Sequence, residues 1–305
     1  MGGRAALFRR PRGQGRNGPA GWAAFRRIQT SPSDLSGRGR PAPVSGREFS
    51  MRVVVKIGSS LLASPGGGLA ALRLRNWAGQ IARLRRAGHE VILVSSGAIR
   101  AGMQALRMKK RPSSRPELQA CATIGQPLLM RAYADALAPH RLLAAQILLT
   151  SWDLDSRHIY ENTRATLQTL LRQKRAVPVF NENDALSFEE IALLNAFGDN
   201  DRLSAHVAIL AKADRLVILT DAPGLMSRPD GGGQLIRRVR KIDDKVLACA
   251  GGAGSAGSVG GMRSKLEAAR IALARGVPVL IADGRRSGVL LESVKASVPG
   301  TWIAR

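Results

Sequence analysis

Arg52-Val53-Val54-Val55-Lys56-Ile57, running into Gly58-Ser59-Ser60, is the stretch whose reading decides the fold. A short continuous apolar run that ends in a Gly-Ser loop predicts a buried strand followed by a turn. Working outward, helical periodicity follows over 71–86, and a second apolar run, EVILVS, occupies 90–95. The alternation then continues. Helices are expected near 97–106, 115–138, 160–174, 200–211 and 262–275. Strands are expected near 144–149, 176–180, 215–219 and 277–282. Continuous apolar strands alternating with helices imply an α/β chain with a mostly parallel central sheet covered on both faces, a three-layer αβα sandwich. Ligands of such sheets bind beyond the carboxyl ends of the strands. The loops that follow each strand are therefore where chemistry is expected.

Residues 1–50 differ from the rest. They hold ten arginines against two acids and are rich in Gly, Pro and Ser, with no apolar periodicity. That composition reads as a disordered basic extension preceding a domain over 51–305. It fits either an Arg-rich presequence or a start of translation at Met51, and it lacks the apolar core of a signal peptide.

The formal charge of +25 raises the question of nucleic acid. Outside the extension the charge is spread over many helix faces, with no basic ribbon interleaved by aromatics, so nucleic acid is not expected as the main partner. No apolar run reaches the roughly 18–20 residues needed to cross a membrane. Cys121 and Cys249 stand far apart and the four histidines are scattered, which points to reduced thiols and away from a structural zinc site.

Six loops carry candidate chemistry. Lys56 and Gly58-Ser59 end the first strand, where a glycine lets backbone N–H groups approach phosphate and a lysine reaches the same oxygens; the alternative is a surface lysine beside a turn. Ser95-Ser96-Gly97 opens a helix, either as an anion site or as a plain N-cap. Asn181-Glu182-Asn183-Asp184 puts four polar side chains in succession at a strand end. Turn chemistry explains one or two of them, and an ammonium partner explains Asp184. Gly198-Asp199-Asn200-Asp201 opens another helix, with acids that either suit the helix dipole or hold lysines, Mg²⁺ or a substrate ammonium. Thr220-Asp221 precedes a Pro-Gly turn that either walls a nucleotide or merely reverses the chain. The Gly-rich stretch 251–265 leads into a helix carrying Lys265. Its GxGxxG match at Gly252, Gly254 and Gly257 is weak, and no Walker-type GxxxxGK[ST] occurs anywhere. Two lysines, several acids and Gly-rich turns at sheet ends together read as phosphoryl transfer.

The ordered set KIGSS, SSGAI, Gly125-Gln126, NENDA, GDND, LTDAPGL and GGMRSK, spread over 51–305, resembles the glutamate 5-kinases within the amino acid kinase superfamily. The resemblance implies ATP- and Mg²⁺-dependent phosphorylation of the side-chain carboxylate of L-glutamate, the first step of proline synthesis, in a cytoplasmic homo-oligomer with proline as feedback inhibitor. It implies Lys56, Lys265 and Asp201 as catalytic residues. Ser96, Asp184, Asn200 and Asp199 are implied to bind substrate. Lys56, Gly58, Ser59, Thr220, Asp221, Val259, Gly260, Gly261, Met262, Arg263, Ser264 and Lys265 are implied to bind ATP. No direct protein ligation of the metal is expected. Another carboxylate or phosphate as acceptor is the alternative within the superfamily, with NENDA and GDND favouring free glutamate.

Three departures stand out. The chain reads as a short form without the family's C-terminal PUA domain. Val259 replaces a usual threonine at the head of GGMRSK. The loop between Asp184 and Asp199 reads about four residues longer than usual and carries Phe188, Leu193, Leu194 and Phe197, in a region implied to take part in proline feedback. A carboxylate acceptor has a reference pKa of about 4.3, so it is already ionised and needs no general base; the difficulty is bringing an anion up to a polyanion.

Overall fold

A computed structural model describes residues 50–64, 68–186, 200–251, 261–295 and 298–305. The expected basic extension, Asp199, Val259, Gly260 and most of the loop that follows Asp184 lie outside the described residues.

Eight strands form one sheet. They are β1 (Arg52–Ile57), β2 (Glu90–Val94), β3 (Leu143–Leu149), β4 (Ala176–Glu182), β5 (Arg215–Thr220), β6 (Arg238–Val239), β7 (Val279–Asp283) and β8 (Thr301–Ile303), in the order β3-β4-β2-β1-β5-β7-β8-β6. The six strands from β3 to β7 in that order run parallel, and β8 pairs antiparallel to β7. The helices are α1 (Ser59–Leu62), α2 (Ala71–Arg86), α3 (Ala98–Ala105), α4 (Arg115–Leu137), α5 (Ser151–Asp155), α6 (Arg157–Arg172), α7 (Asn200–Leu210), α8 (Asp244–Ala248), α9 (Met262–Ala274) and α10 (Val289–Ser293).

The period of two along β1 sorts the chain into layers. Val53, Val55 and Ile57 face a core shared with α2, α4 and α10. Val54 faces the other core, built with α6, α7 and α9. Both cores are mainly aliphatic, with Trp77 and Tyr133 in the first and Phe180 in the second, as expected where a parallel sheet is covered on both sides. Lys56 has the parity of Val54, so its side chain is delivered to the layer that holds α7 and α9.

Every long periodic segment lies where its pattern predicts, with ends shifted by a few residues. The sequence reading lacks β6, β8, α1, α5, α8 and α10. These elements have two to five residues, too few to show a period. β8 is a strand because β7 offers it an open edge. Helix α6 begins earlier than expected, at Arg157, because Ser156 caps it directly behind α5, which Thr150 and Asp153 close with a capping box.

Helices α3 and α4 cross at backbone contact. A Cβ on Gly125 would lie 1.8 Å from the Ala98 carbonyl oxygen, and one on Gly102 would lie 1.8 Å from that of Cys121. Main-chain atoms of two helices cannot step aside, so this crossing requires glycine. Gly125→Ala should therefore cost at least the roughly 1–3 kcal/mol typical of overpacking, read as a lower urea midpoint. An unchanged midpoint would contradict the close crossing.

Candidate active site

Because the strands from β3 to β7 point the same way, their carboxyl ends form one edge. Along it lie Asp184 beyond β4, Ser95-Ser96 beyond β2, Lys56 and Gly58 at β1, and Thr220-Asp221 at β5. Neighbouring strands stand about 4.8 Å apart, so the acidic loop after β4 is two strands, on the order of 10 Å, from Lys56. Thr220 is one strand away on the other side. Chain order reverses here too: β1 leads to β2 on one side, and β4 leads to β5 on the other. Crevices that bind ligands form at such points.

The centre is Asp201, in the first turn of α7 and only 2 % exposed. Its Oδ1 lies 2.6 Å from Lys56 Nζ, and its Oδ2 lies 3.3 Å from Lys265 Nζ. Ser264 Oγ donates to the same Oδ2 at 2.7 Å. Lys265 also donates to the Gly261 carbonyl at 3.3 Å. Burial opposes ionisation of Asp201. The attraction of Lys56 and Lys265, with hydrogen bonds from Lys56 and Ser264, outweighs it and holds the carboxyl well below the usual carboxylate range. Two buried cations thus meet on one buried carboxylate. The first turns of α7 and α9, which hold Asp201, Ser264 and Lys265, add the positive ends of two helix dipoles. Gly58 keeps this space open, since a Cβ there would sit 3.9 Å from Lys56 Nζ and 3.3 Å from the Leu219 carbonyl oxygen.

The loop side has the opposite character. Asn181, Asp184 and Asn200 are each less than a tenth exposed, and each has a side-chain Oδ1 with no hydrogen-bond donor. Buried acceptors are nearly always satisfied, so three orphans in one region mark a place for a donor. The amide of Asn181 is fixed from behind: its Nδ2 donates to Gln126 Oε1 at 2.7 Å, and Gln126 Nε2 donates to Gln146 Oε1 at 3.2 Å. Burial pushes the Asp184 carboxyl up to about 6, against the smaller opposing pull of Arg111. Neither serine after β2 caps α3. Its N-cap is Gly97, at φ +100°, with no side-chain cap. Ser95 Oγ instead lies 2.9 Å from Tyr133 OH.

The geometry gives a cationic, water-poor centre flanked on one side by an acceptor-lined pocket and on the other by a strand-end turn. The sequence profile of the amino acid kinase family matches residues 51–283. The chain belongs to that family. Among curated relatives, glutamate 5-kinase of Nitrosospira multiformis is 46 % identical over 257 residues, covering 83 % of this chain and 68 % of that protein. Glutamate 5-kinase of Thermus thermophilus is 46 % identical over 253 residues, covering 82 % and 66 %. The chain thus spans about two thirds of the length of these relatives. Two solved structures share the fold at low identity. Isopentenyl phosphate kinase has a TM-score of 0.56 at 14 % identity, covering 83 % of this chain and all of its own. N-acetylglutamate synthase from Neisseria gonorrhoeae, complexed with coenzyme A and N-acetyl-glutamate, has a TM-score of 0.58 at 20 % identity, covering 84 % and 59 %.

Within this family member the candidate residues separate into groups. Lys56, Asp201, Ser264 and Lys265 meet directly. Asn200 is joined to Asp201 through the chain and, like Asp184, is buried with an unpartnered Oδ1; Ser96 is buried at the end of β2, next to β4. Thr220 is buried and donates to Asp221 at 3.2 Å. Met262 packs on the α7–α9 core, and Arg263 is turned outward toward Glu267 at 3.7 Å. Asn181 heads the polar run after β4 and Gln126 belongs to the Gly125-Gln126 motif; the sequence marks both segments without assigning either side chain a role, and the structure joins them by a hydrogen bond.

Asp184 gives a test with a worked sign. A carboxyl raised to about 6 favours the protonated folded state, so its ionisation costs stability as pH rises from the unfolded value through 6. Asp184→Asn should raise Tm at pH 8, a gain of up to about 3 kcal/mol, and leave it unchanged near pH 3.5. A Tm that falls at pH 8 would show that Asp184 is a structural ion partner.

Proposed function

We propose that this chain transfers the γ-phosphoryl group of ATP to the side-chain carboxylate of L-glutamate, forming glutamate 5-phosphate and ADP. The observation that carries this reading is the buried meeting of Lys56 and Lys265 on Asp201 at the carboxyl edge of the sheet, together with three orphaned acceptors on β4, the loop after it and the start of α7. An ammonium group has three N–H donors, and Asn181, Asp184 and Asn200 offer three acceptors. A free amino acid seated there by its ammonium lies on the β4 side of the edge, and its side-chain carboxylate extends toward Lys56. N-acylated acids lack that ammonium, which supports free glutamate as the acceptor. The relatives' shared name supports the same choice.

The chemistry asks little of acids or bases. A carboxylate oxygen attacks the γ-phosphorus, an O–P bond forms, and the bond from that phosphorus to the ADP oxygen breaks. The protein's task is positioning and charge neutralisation. Lys56 and Lys265 meet charge gathering on the transferring phosphoryl. Asp201 holds both ammonium groups at fixed distance, and Ser264 locks its carboxylate. Thr220, Asp221 and the first turn of α9 would flank the nucleotide. Mg²⁺, carried on the ATP phosphates, would supply further neutralisation; among the described residues no cluster of three potential ligands exists to hold a metal independently.

Proline presents an α-carboxylate with two N–H donors, so inhibition by competition at Asp184 and Asn200 fits the same pocket. Oligomerisation is supported by apolar residues left exposed beside the sheet edge, Leu143 on β3 and Ile124 and Leu128 on α4. No described helix is long and apolar enough to cross a membrane.

The decisive assay supplies ATP, Mg²⁺ and glutamate with hydroxylamine, which traps an acyl phosphate as the hydroxamate. Better turnover of N-acetylglutamate or aspartate would reject the acceptor assignment. Lys56→Ala and Lys265→Ala should each lower kcat on the order of 10²-fold or more, as removal of other preorganised electrostatic groups does. Near-normal turnover in both would reject the mechanism. In the wild type the KM for glutamate should rise as pH falls below about 6; Asp184→Asn should abolish that dependence and raise KM for glutamate while leaving KM for ATP nearly unchanged.

A further inference from the structure

Away from the strand-end edge, a cavity of about 230 Å³ is lined by Arg240, Lys241, Ile242, Arg270, Leu273, Ala274 and Arg305. Its construction follows from sheet register. β6 and β8 run parallel, with Arg238 beside Trp302 and Val239 beside Ile303. The Ala304 N–H still donates to the Val239 carbonyl at 3.2 Å, so the two chains leave the sheet together and bring Arg240 and Lys241 alongside Arg305. The opposite wall is the final turn of α9, which supplies Arg270, Leu273 and Ala274. Ile242 and Leu273 pack on the core beneath, giving the cavity an apolar floor.

Four solvent-exposed cationic residues line it, and among the described residues none of their side chains has an ion pair to an acidic side chain. Two nearby acids are committed elsewhere. Asp243 caps α8 through the Val246 N–H at 3.0 Å, and Glu267, one turn before Arg270, faces Arg263. Arg270 is not needed to cap α9, because the carbonyls of Ala272 and Leu273 already accept N–H groups from Arg275, Gly276 and Val277. Four like charges around one depression give it a positive local potential, which attracts an anion.

We infer that this cavity is a binding site for a small anion of the phosphate class, separate from the catalytic centre. Arginine forks match phosphate oxygens with paired N–H donors, and the apolar floor accepts the carbon body of a phosphate ester. The site grips the last turn of α9, and the first turn of the same helix carries Ser264 and Lys265. At 1.5 Å per residue the two ends of this helix are roughly 18 Å apart.

The test is thermal melting and calorimetric titration of the full chain with inorganic phosphate, with NaCl adjusted to constant ionic strength. The wild type should show a saturable rise in Tm, retained in Lys265→Met. Arg240→Ala and Arg270→Ala should each weaken phosphate binding at least tenfold, and Arg240→Lys should recover part of the loss. Without phosphate, Arg270→Ala should melt no lower than the wild type, because one of four like charges has been removed. The inference is overturned by a non-saturable response in the wild type. It is equally overturned if Lys265→Met abolishes the effect while Arg270→Ala retains it, or if Arg270→Ala lowers Tm without phosphate.

Discussion

The pair of contacts from Lys56 and Lys265 to the two oxygens of Asp201 constrains everything around it. The three residues come from a strand and two helices whose sequence positions are separated by more than 200 residues end to end. They meet because β1 alternates. Lys56 faces the layer containing α7 and α9, and a shift of β1 by one residue would turn it into the opposite core. The purely apolar neighbours of Lys56 on β1, β2 and β5 fix that register. The sheet interior is thus what places a charged group to within hydrogen-bond distance.

Energetically the triad is an odd thing to bury. Removing three charged groups from water is costly, and well-packed apolar residues of similar volume often serve stability as well or better. The same holds across the pocket, where Asp184 is buried against its own ionisation and three acceptors lack donors. Folding is served by neither feature. On the function proposed above, both would become favourable with a polyanion at the lysines and an ammonium at the acceptors.

The sequence made the scaffold legible because the scaffold is periodic. The runs at 52–57, 90–95, 176–180 and 215–219 are continuous and apolar, and the helices between them are long enough to repeat. It also made the functional loops legible, because ligand sites of a parallel sheet lie at strand ends. Pairing was less legible. Nothing local in Asp201 says that it will bridge Lys56 and Lys265, and its position in a helix's first turn has an adequate explanation in the dipole. Likewise, Ser264 falls in a Gly-rich segment that suggests phosphate, whereas its hydroxyl is spent on Asp201. Gly125-Gln126 is marked as a motif, but the partner of Gln126 is not legible, because a polar residue in a long helix ordinarily faces water. Gln126 meets Asn181 one residue beyond Gly125, where α4 touches α3 at the backbone.

That crossing also bears on substrate geometry. Gly102 and Gly125 allow two helices to touch backbone to backbone, which seats the N-terminus of α3 against α4. Gly97, in a left-handed conformation, turns β2 sharply into α3 and leaves the helix without a side-chain cap. Ser95 is tied back to Tyr133 on α4. The anion-facing end of α3, the amide of Asn181 and the end of β4 are therefore referenced to one rigid crossing. Asp201, in contrast, is referenced to β1 and α9 in the other layer. Asn200 and Asp201 are successive residues of α7, so one orphaned acceptor and the lysine-bridging carboxylate share a helix, while Asn181 and Asp184 are held from β4. The distance across the carboxyl edge from β1 to β4 is set by the strand-to-strand spacing of the sheet, which side-chain packing cannot alter.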